Sequence, residues 1–118
     1  MKENQNPMGN VYVSHRAIAT IAYQSAIESY GVVGLAAKNF AEGIAQVIVR
    51  DPTLGVEVGF DGQKIEIDLY IIVEYGTRIK MVAESVSSNV QYRVEKTIGI
   101  PVDKVNVHIR ALRISDTD

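Results

Sequence analysis

The sequence predicts an α+β two-layer sandwich, a small sheet with a central β-hairpin packed on two main helices in the order β-α-(α)-β-β-α-β. Three observations carry that expectation. Two runs of apolar alternation, 54–60 and 65–73, flank an Asp61-Gly62 pair of the kind that closes tight hairpins. A stripe of apolar residues three and four apart runs from Ile79 to Ile98. A further alternating run, 102–114, follows Gly99 and Pro101, which end that stripe.

Taken in order, residues 1–9 read as a flexible leader, 10–114 as a single domain and 115–118 as a frayed tail. "NVYVS" (10–14) reads as a short strand with Val11 and Val13 on one side, and Ser14 as the N-cap of a helix over 15–29. The apolar positions of that helix, Ala17, Ile18, Ile21, Ala22, Ala26 and Ile27, spread over a broad arc, which implies cover on more than one side. Gly31 is the expected left-handed cap, and a second, shorter helix is expected over about 40–48, weakened by Gly43. A two-residue turn at Asp61-Gly62 would set Val58 opposite Ile65, Val56 opposite Ile67 and Leu54 opposite Leu69, all on one face. The stripe of the long helix is rich in β-branched valine, so packing on the sheet rather than intrinsic propensity must hold it. The last strand should turn Val105, Val107, Ile109 and Ala111 inward, and Asn106, His108, Arg110 and Leu112 outward.

The composition narrows the function classes. The 118 residues suit one domain with its own core. A formal charge of −2 and a pI near 5.7 are a poor start for a protein that must neutralise phosphates. The chain has no cysteine, which excludes disulfides, thiolate catalysis and cysteine-bound zinc. The polar start "MKENQNPMGN" has no apolar segment of the secretory kind, and no run approaches the ~18–20 apolar residues of a membrane span. A cytoplasmic protein without direct membrane insertion is the expectation.

The second face of the 65–74 strand raises the functional question. Glu66, Asp68, Tyr70, Ile72 and Glu74 point away from the apolar set, and Glu57 joins them from the neighbouring strand, opposite Glu66 in the expected register. Paired carboxylates can do acid–base work or hold a hard cation, yet no histidine or glycine-rich loop adjoins these in sequence. They read as wet acids that discourage sheet stacking, or as a surface that meets a partner. Tyr70 and Ile72 are either covered by a loop or in contact with a second subunit.

Gly31, Val32, Val33 and Gly34 have the spacing of the KH backbone clamp, which makes a single-stranded RNA-binding module the alternative reading. Two valines would present methyl groups to phosphate, and a helix cap with an apolar docking loop explains the same residues. His15 and His108 lie in no pattern that supplies a nucleophile or metal partner. Arg78, Lys80, Arg93, Lys96, Lys104, Arg110 and Arg113 are dispersed, with no aromatic-plus-basic amphipathic helix to drive membrane binding. No residue is assigned a catalytic, cofactor or metal role, and the chain reads as a non-enzyme.

Three stretches together resemble a known family. "GNVYVSHRAIATIAYQSAIESYGVVGL", "GVEVGFDGQKIEIDLYIIVEYGTRI" and "VEKTIGIPVDKVNVHIRAL" are similar, in that order, to the alkaline-shock, or general-stress, envelope proteins of Gram-positive and related bacteria. The similarity covers about residues 9–113, and its specificity lies in the ordered set rather than in any one motif. It implies a non-enzymatic cytoplasmic protein that homo-oligomerises, linked to envelope stress and, in some relatives, held at the membrane by a separate anchor protein. The absence of long charged tails places the chain with the short type found beside a fatty-acid kinase. That neighbourhood implies a lipid-supply context and the kinase as a second candidate partner.

Overall fold

The computed structural model describes residues 7–37 and 54–114. Their elements are α1 (Pro7–Ile27), β1 (Val32–Leu35), β2 (Val56–Phe60), β3 (Ile65–Glu74), α2 (Ile79–Ile98) and β4 (Val102–Arg113). The architecture is the expected α+β one, two helices on one face of a small sheet, with a different start.

No strand precedes α1: residues 10–14 are helical, Ser14 lies inside the helix rather than capping it, and residues 7–9 of the expected leader belong to its first turn. Alternation of two valines over five residues is too short to fix a period, and Pro7 suits a first helical position because its missing N–H has no partner there. The buried residues Ile18, Ala19, Ala22, Ser25, Ala26 and Ser29 recur at helical spacing, and the small ones let α1 approach α2 closely. Asn89 of α2 donates to Ser29 Oγ (3.0 Å), which in turn donates to the Ser25 carbonyl (2.9 Å). Gly31 has φ +88°, as a left-handed cap requires, and a Cβ there would lie 2.6 Å from Val82 Cγ2.

Val32, Val33 and Gly34 do not form a loop between helices. They lie in β1, which pairs antiparallel with β3 (Val32 with Val73, Leu35 with Ile71), with a bulge at Val33. The expected helix over 40–48 lies outside the described residues.

β3 is the spine of the sheet. β1 and β2 lie end to end along one of its edges, antiparallel, and β4 lies parallel along the other. The backbone of Tyr70 spans the break between β1 and β2: its carbonyl accepts from Ala36 N–H and its N–H donates to the Gly55 carbonyl, both at 2.9 Å. Gly55 has φ +80°, and a Cβ there would lie 2.7 Å from the Ala36 oxygen. The chain thus leaves the sheet at Ala36 and rejoins it at Gly55 with the edge unbroken.

The hairpin register differs from expectation by two residues. Phe60, Val58 and Val56 pair with Ile65, Ile67 and Leu69. The turn takes 61–64 because Asp61 Oδ1 accepts the N–H groups of both Lys64 and Gln63 at 2.9 Å, which hold its carboxyl below the ordinary range. A shift of two residues leaves every side chain on its expected face.

Ile65, Ile67, Leu69, Ile71 and Val73 are fully buried beneath the helices. Val82, Val86, Val90 and Val94 of α2 close over them, and Ile18, Ala22 and Ala26 of α1 complete the cluster. Each such side chain contributes about 1.5–3 kcal/mol through removal of apolar surface from water. α2 ends at Gly99 (φ 87°), and Glu95 Oε2 accepts Val102 N–H at 2.9 Å, tying the helix end to the start of β4. At the far end of β4 the register slips between Ile71 and Ile72, so Ala111 pairs with Ile72 and Leu112 with Val73. Beyond Arg110 the expected phase of Ala111 and Leu112 is therefore reversed.

Candidate interaction surface

The face of the sheet turned away from both helices gathers all six residues singled out in the sequence, Glu57, Glu66, Asp68, Tyr70, Ile72 and Glu74. In the observed register Glu57 opposes Asp68, not Glu66, which faces Gly59. The like-charged pair is therefore a different one.

β4 brings two further residues to this face. Asn106 lies beside Asp68 and His108 beside Tyr70. The Asn106 amide donates to Asp68 Oδ1 (3.1 Å) and to Glu66 Oε2 (3.3 Å), so one side chain offsets the repulsion between two acids. His108 Nε2 lies 3.1 Å from the same Asp68 oxygen, and because a carboxylate only accepts, the ring must donate. The imidazole stacks on the Tyr70 ring, centroids 4.6 Å apart and planes 12° from parallel. The Tyr70 hydroxyl donates to Glu57 Oε1 at 3.3 Å. Four side chains on three strands thus form a chain of contacts from Glu57 through Tyr70 and His108 to Asp68.

Tyr70 is only 7% exposed although it faces away from the helices. Burial pushes its phenol above the ordinary tyrosine value, and the Glu57 carboxylate and its hydrogen bond push the same way, as does Asp68, against a smaller opposing pull from Arg110. Ile72 is half-buried beside it. The result is a platform with an aromatic centre and an acidic margin.

Asn106 and His108 were legible as outward residues of the last strand, but not as neighbours of Asp68 and Tyr70. That adjacency depends on the parallel register of two strands joined through α2, which no local pattern encodes. The platform holds a histidine–carboxylate pair, and among the described residues no hydroxyl is hydrogen-bonded to His108. Among the described residues no group of three or more His, Asp or Glu is placed to hold a metal ion. Gly31 and Gly34, in their observed places at the edge of β1, form no backbone clamp.

β4 adds a second feature. Ten of its 12 residues pair with β3 along one edge, and among the described residues no strand covers the other. Such an edge is a template for another strand.

The structures most like this fold include the copper form of the MamM CTD (TM-score 0.53, 20% identity, 90% of this chain and 94% of that one). A doubly substituted form of the same domain matches with TM-score 0.51 and 22% identity over 86% and 87% of the two chains. At that identity the likeness concerns the fold alone. By sequence, the chain is 38% identical over 116 residues to the protein YloU of Bacillus subtilis, covering 97% of each. It is 31% identical over 108 residues to a Streptococcus pyogenes protein, covering 90% of this chain and 89% of that one. The profile of the alkaline-shock protein 23 family, described as having a cell envelope-related function, matches residues 3–114. The chain belongs to that family of envelope-related proteins.

Proposed function

We propose that this protein is a non-enzymatic adaptor that works by docking, with a homotypic contact built from the outer platform and the adjoining edge of β4. One observation carries the reading. The face that neither helix covers holds a nearly buried tyrosine beside a half-buried isoleucine, and a 12-residue strand edge runs along it. A sheet face of this kind, with an aromatic centre and an acidic margin, suits recognition. The acids and the bridging Asn106 set polarity and register, and Ile72 with the exposed His108 ring stacked on Tyr70 supplies area.

The test is native mass across a concentration series. The wild-type chain is expected to form oligomers at micromolar concentration, and Tyr70→Ala combined with Ile72→Ala to shift it toward monomer. Only monomers in the wild type at high concentration would overturn the proposal, as would unchanged oligomers in the double variant.

The family resemblance supplies the candidates for a second partner, a membrane-anchor protein or a fatty-acid kinase, with the chain cytoplasmic and tethered to the envelope through one of them. Crosslinking and capture from the native cell distinguishes the two.

A further inference from the structure

The described residues include seven large apolar or aromatic side chains that are strongly exposed. Six of them, Tyr30, Tyr75, Ile79, Met81, Leu112 and Ile114, lie at one end of the molecule; Tyr92 is the exception. Their exposure runs from 40% at Ile79 to 78% at Tyr30. The topology brings them together. β3 and β4 run parallel and finish side by side, with Tyr75 N–H donating to the Arg113 carbonyl at 2.8 Å. β1 begins beside the same point, with Glu74 N–H donating to the Gly31 carbonyl at 2.9 Å, and α2 starts there, three residues beyond Gly76. Tyr30, Arg78 and Met81 line a groove of about 480 Å³ against Val82 at this end.

The same end collects cations that look scattered in the sequence. Arg78 and Lys80 open α2, and Arg113 closes β4, all exposed. The first turn of α2 holds no acidic residue, and Arg78 makes no side-chain cap there. Basic groups at the positive end of a helix repel its dipole, an arrangement that an opposing negative surface relieves. The described acids of the strand ends and turns gathered here are Glu74 and Glu28, and Glu28 is paired with Arg93 at 3.0 Å; three exposed cations stand against them on a chain whose net charge is −2.

Exposed tyrosine, methionine and aliphatic side chains flanked by arginine and lysine match a membrane interface, where rings sit at headgroup level and cations meet lipid phosphates. Tyr30 and Tyr75 stand on turns, Leu112 and Ile114 at the end of β4, and Ile79 and Met81 on the first turn of α2, beside the cations Arg78, Lys80 and Arg113, a mixture that suits an anionic lipid surface. We infer that this end of the molecule docks on an anionic phospholipid bilayer, lying on the surface without spanning it. The contact is separate from the outer platform and gives the chain its own hold on the membrane, in addition to any tether.

The full chain should co-sediment with phosphatidylcholine vesicles containing phosphatidylglycerol and not with phosphatidylcholine alone, and high salt should release it. Arg78→Ala with Lys80→Ala should weaken binding about thirtyfold, from two cations near the surface. Tyr75→Trp provides a folding-independent check, because the sequence contains no other tryptophan. Its emission should move to the blue with the anionic vesicles and stay unchanged with the neutral ones. Absence of sedimentation and of the emission shift would overturn the inference. So would equal binding to both vesicles, full binding by the double variant, or a change in native mass in that variant, which would assign this end to a second copy of the chain.

Discussion

The two faces of β3 are built from alternate residues of one ten-residue segment, yet they differ in kind. Ile65, Ile67, Leu69, Ile71 and Val73 lie dry beneath two helices, each touching apolar neighbours on every side. On the other face Glu66, Asp68 and Tyr70 meet side chains of β2 and β4 through an amide bridge, a stacked pair and a hydroxyl–carboxylate contact. The inner face holds the fold together, because buried methylenes add up and leave no polar group unpaired. The outer face adds little to stability, because its exposed pairs trade protein contacts for water at nearly equal free energy. A face that contributes little to folding but is ordered across three strands is available for recognition.

That contrast can be broken in graded steps. The largest effect is expected for Leu69→Ala on the inner face, a loss of about 2–5 kcal/mol in urea unfolding, because a cavity would open between β3 and α2. A loss below 1 kcal/mol would mean that the helices do not seal that face. Gly55→Ala comes next, at about 1–3 kcal/mol, since φ +80° and a carbonyl oxygen 2.7 Å from the new methyl strain the junction of β1 and β2. If Gly55→Ala matched wild type, the edge would not be continuous there.

His108→Ala on the outer face should cost less than about 1 kcal/mol in the same titration while changing the native-mass profile. A cost as large as that of Leu69→Ala would erase the distinction between the faces. The smallest effect at neutral pH belongs to Tyr70→Phe. The folded chain favours the protonated phenol, so it retains a proton that the unfolded chain gives up above about pH 10. Stability is therefore full below the ordinary tyrosine value of 10.0 and falls as pH rises toward the higher folded-state value. Absorbance titration of the six tyrosines should show one late phenol that disappears in Tyr70→Phe. Its persistence would reassign that group.

Much of the contrast was readable without coordinates. Alternation over 65–74 separated the two faces correctly, and a hairpin register wrong by two residues left that separation intact. The valine stripe of α2 was legible because four-residue spacing persists over five turns. The strand expected at 10–14 failed where the pattern was shortest, since two valines cannot distinguish a period of two from the start of a 21-residue helix. The glycines at 31 and 34 suggested a loop, but β3 offered Val32 and Leu35 a place at its edge, and pairing there satisfied their backbone groups.

By itself the sequence determined which way the side chains of β3 and the valine stripe of α2 point, because the periods of strand and helix are local properties of consecutive residues. It thereby placed the central part of the core and the outer acidic row, but not Ala111 and Leu112, whose phase a register shift reverses. Only the tertiary structure decided what lies beside what: His108 against Tyr70, Gly55 against Ala36, and Arg113 beside Tyr75. Those neighbours are separated by many residues, and their meeting depends on how the β3–α2–β4 crossover and the interrupted edge strand close in space. Closure is a property of the whole packed chain, so no window of consecutive residues carries it.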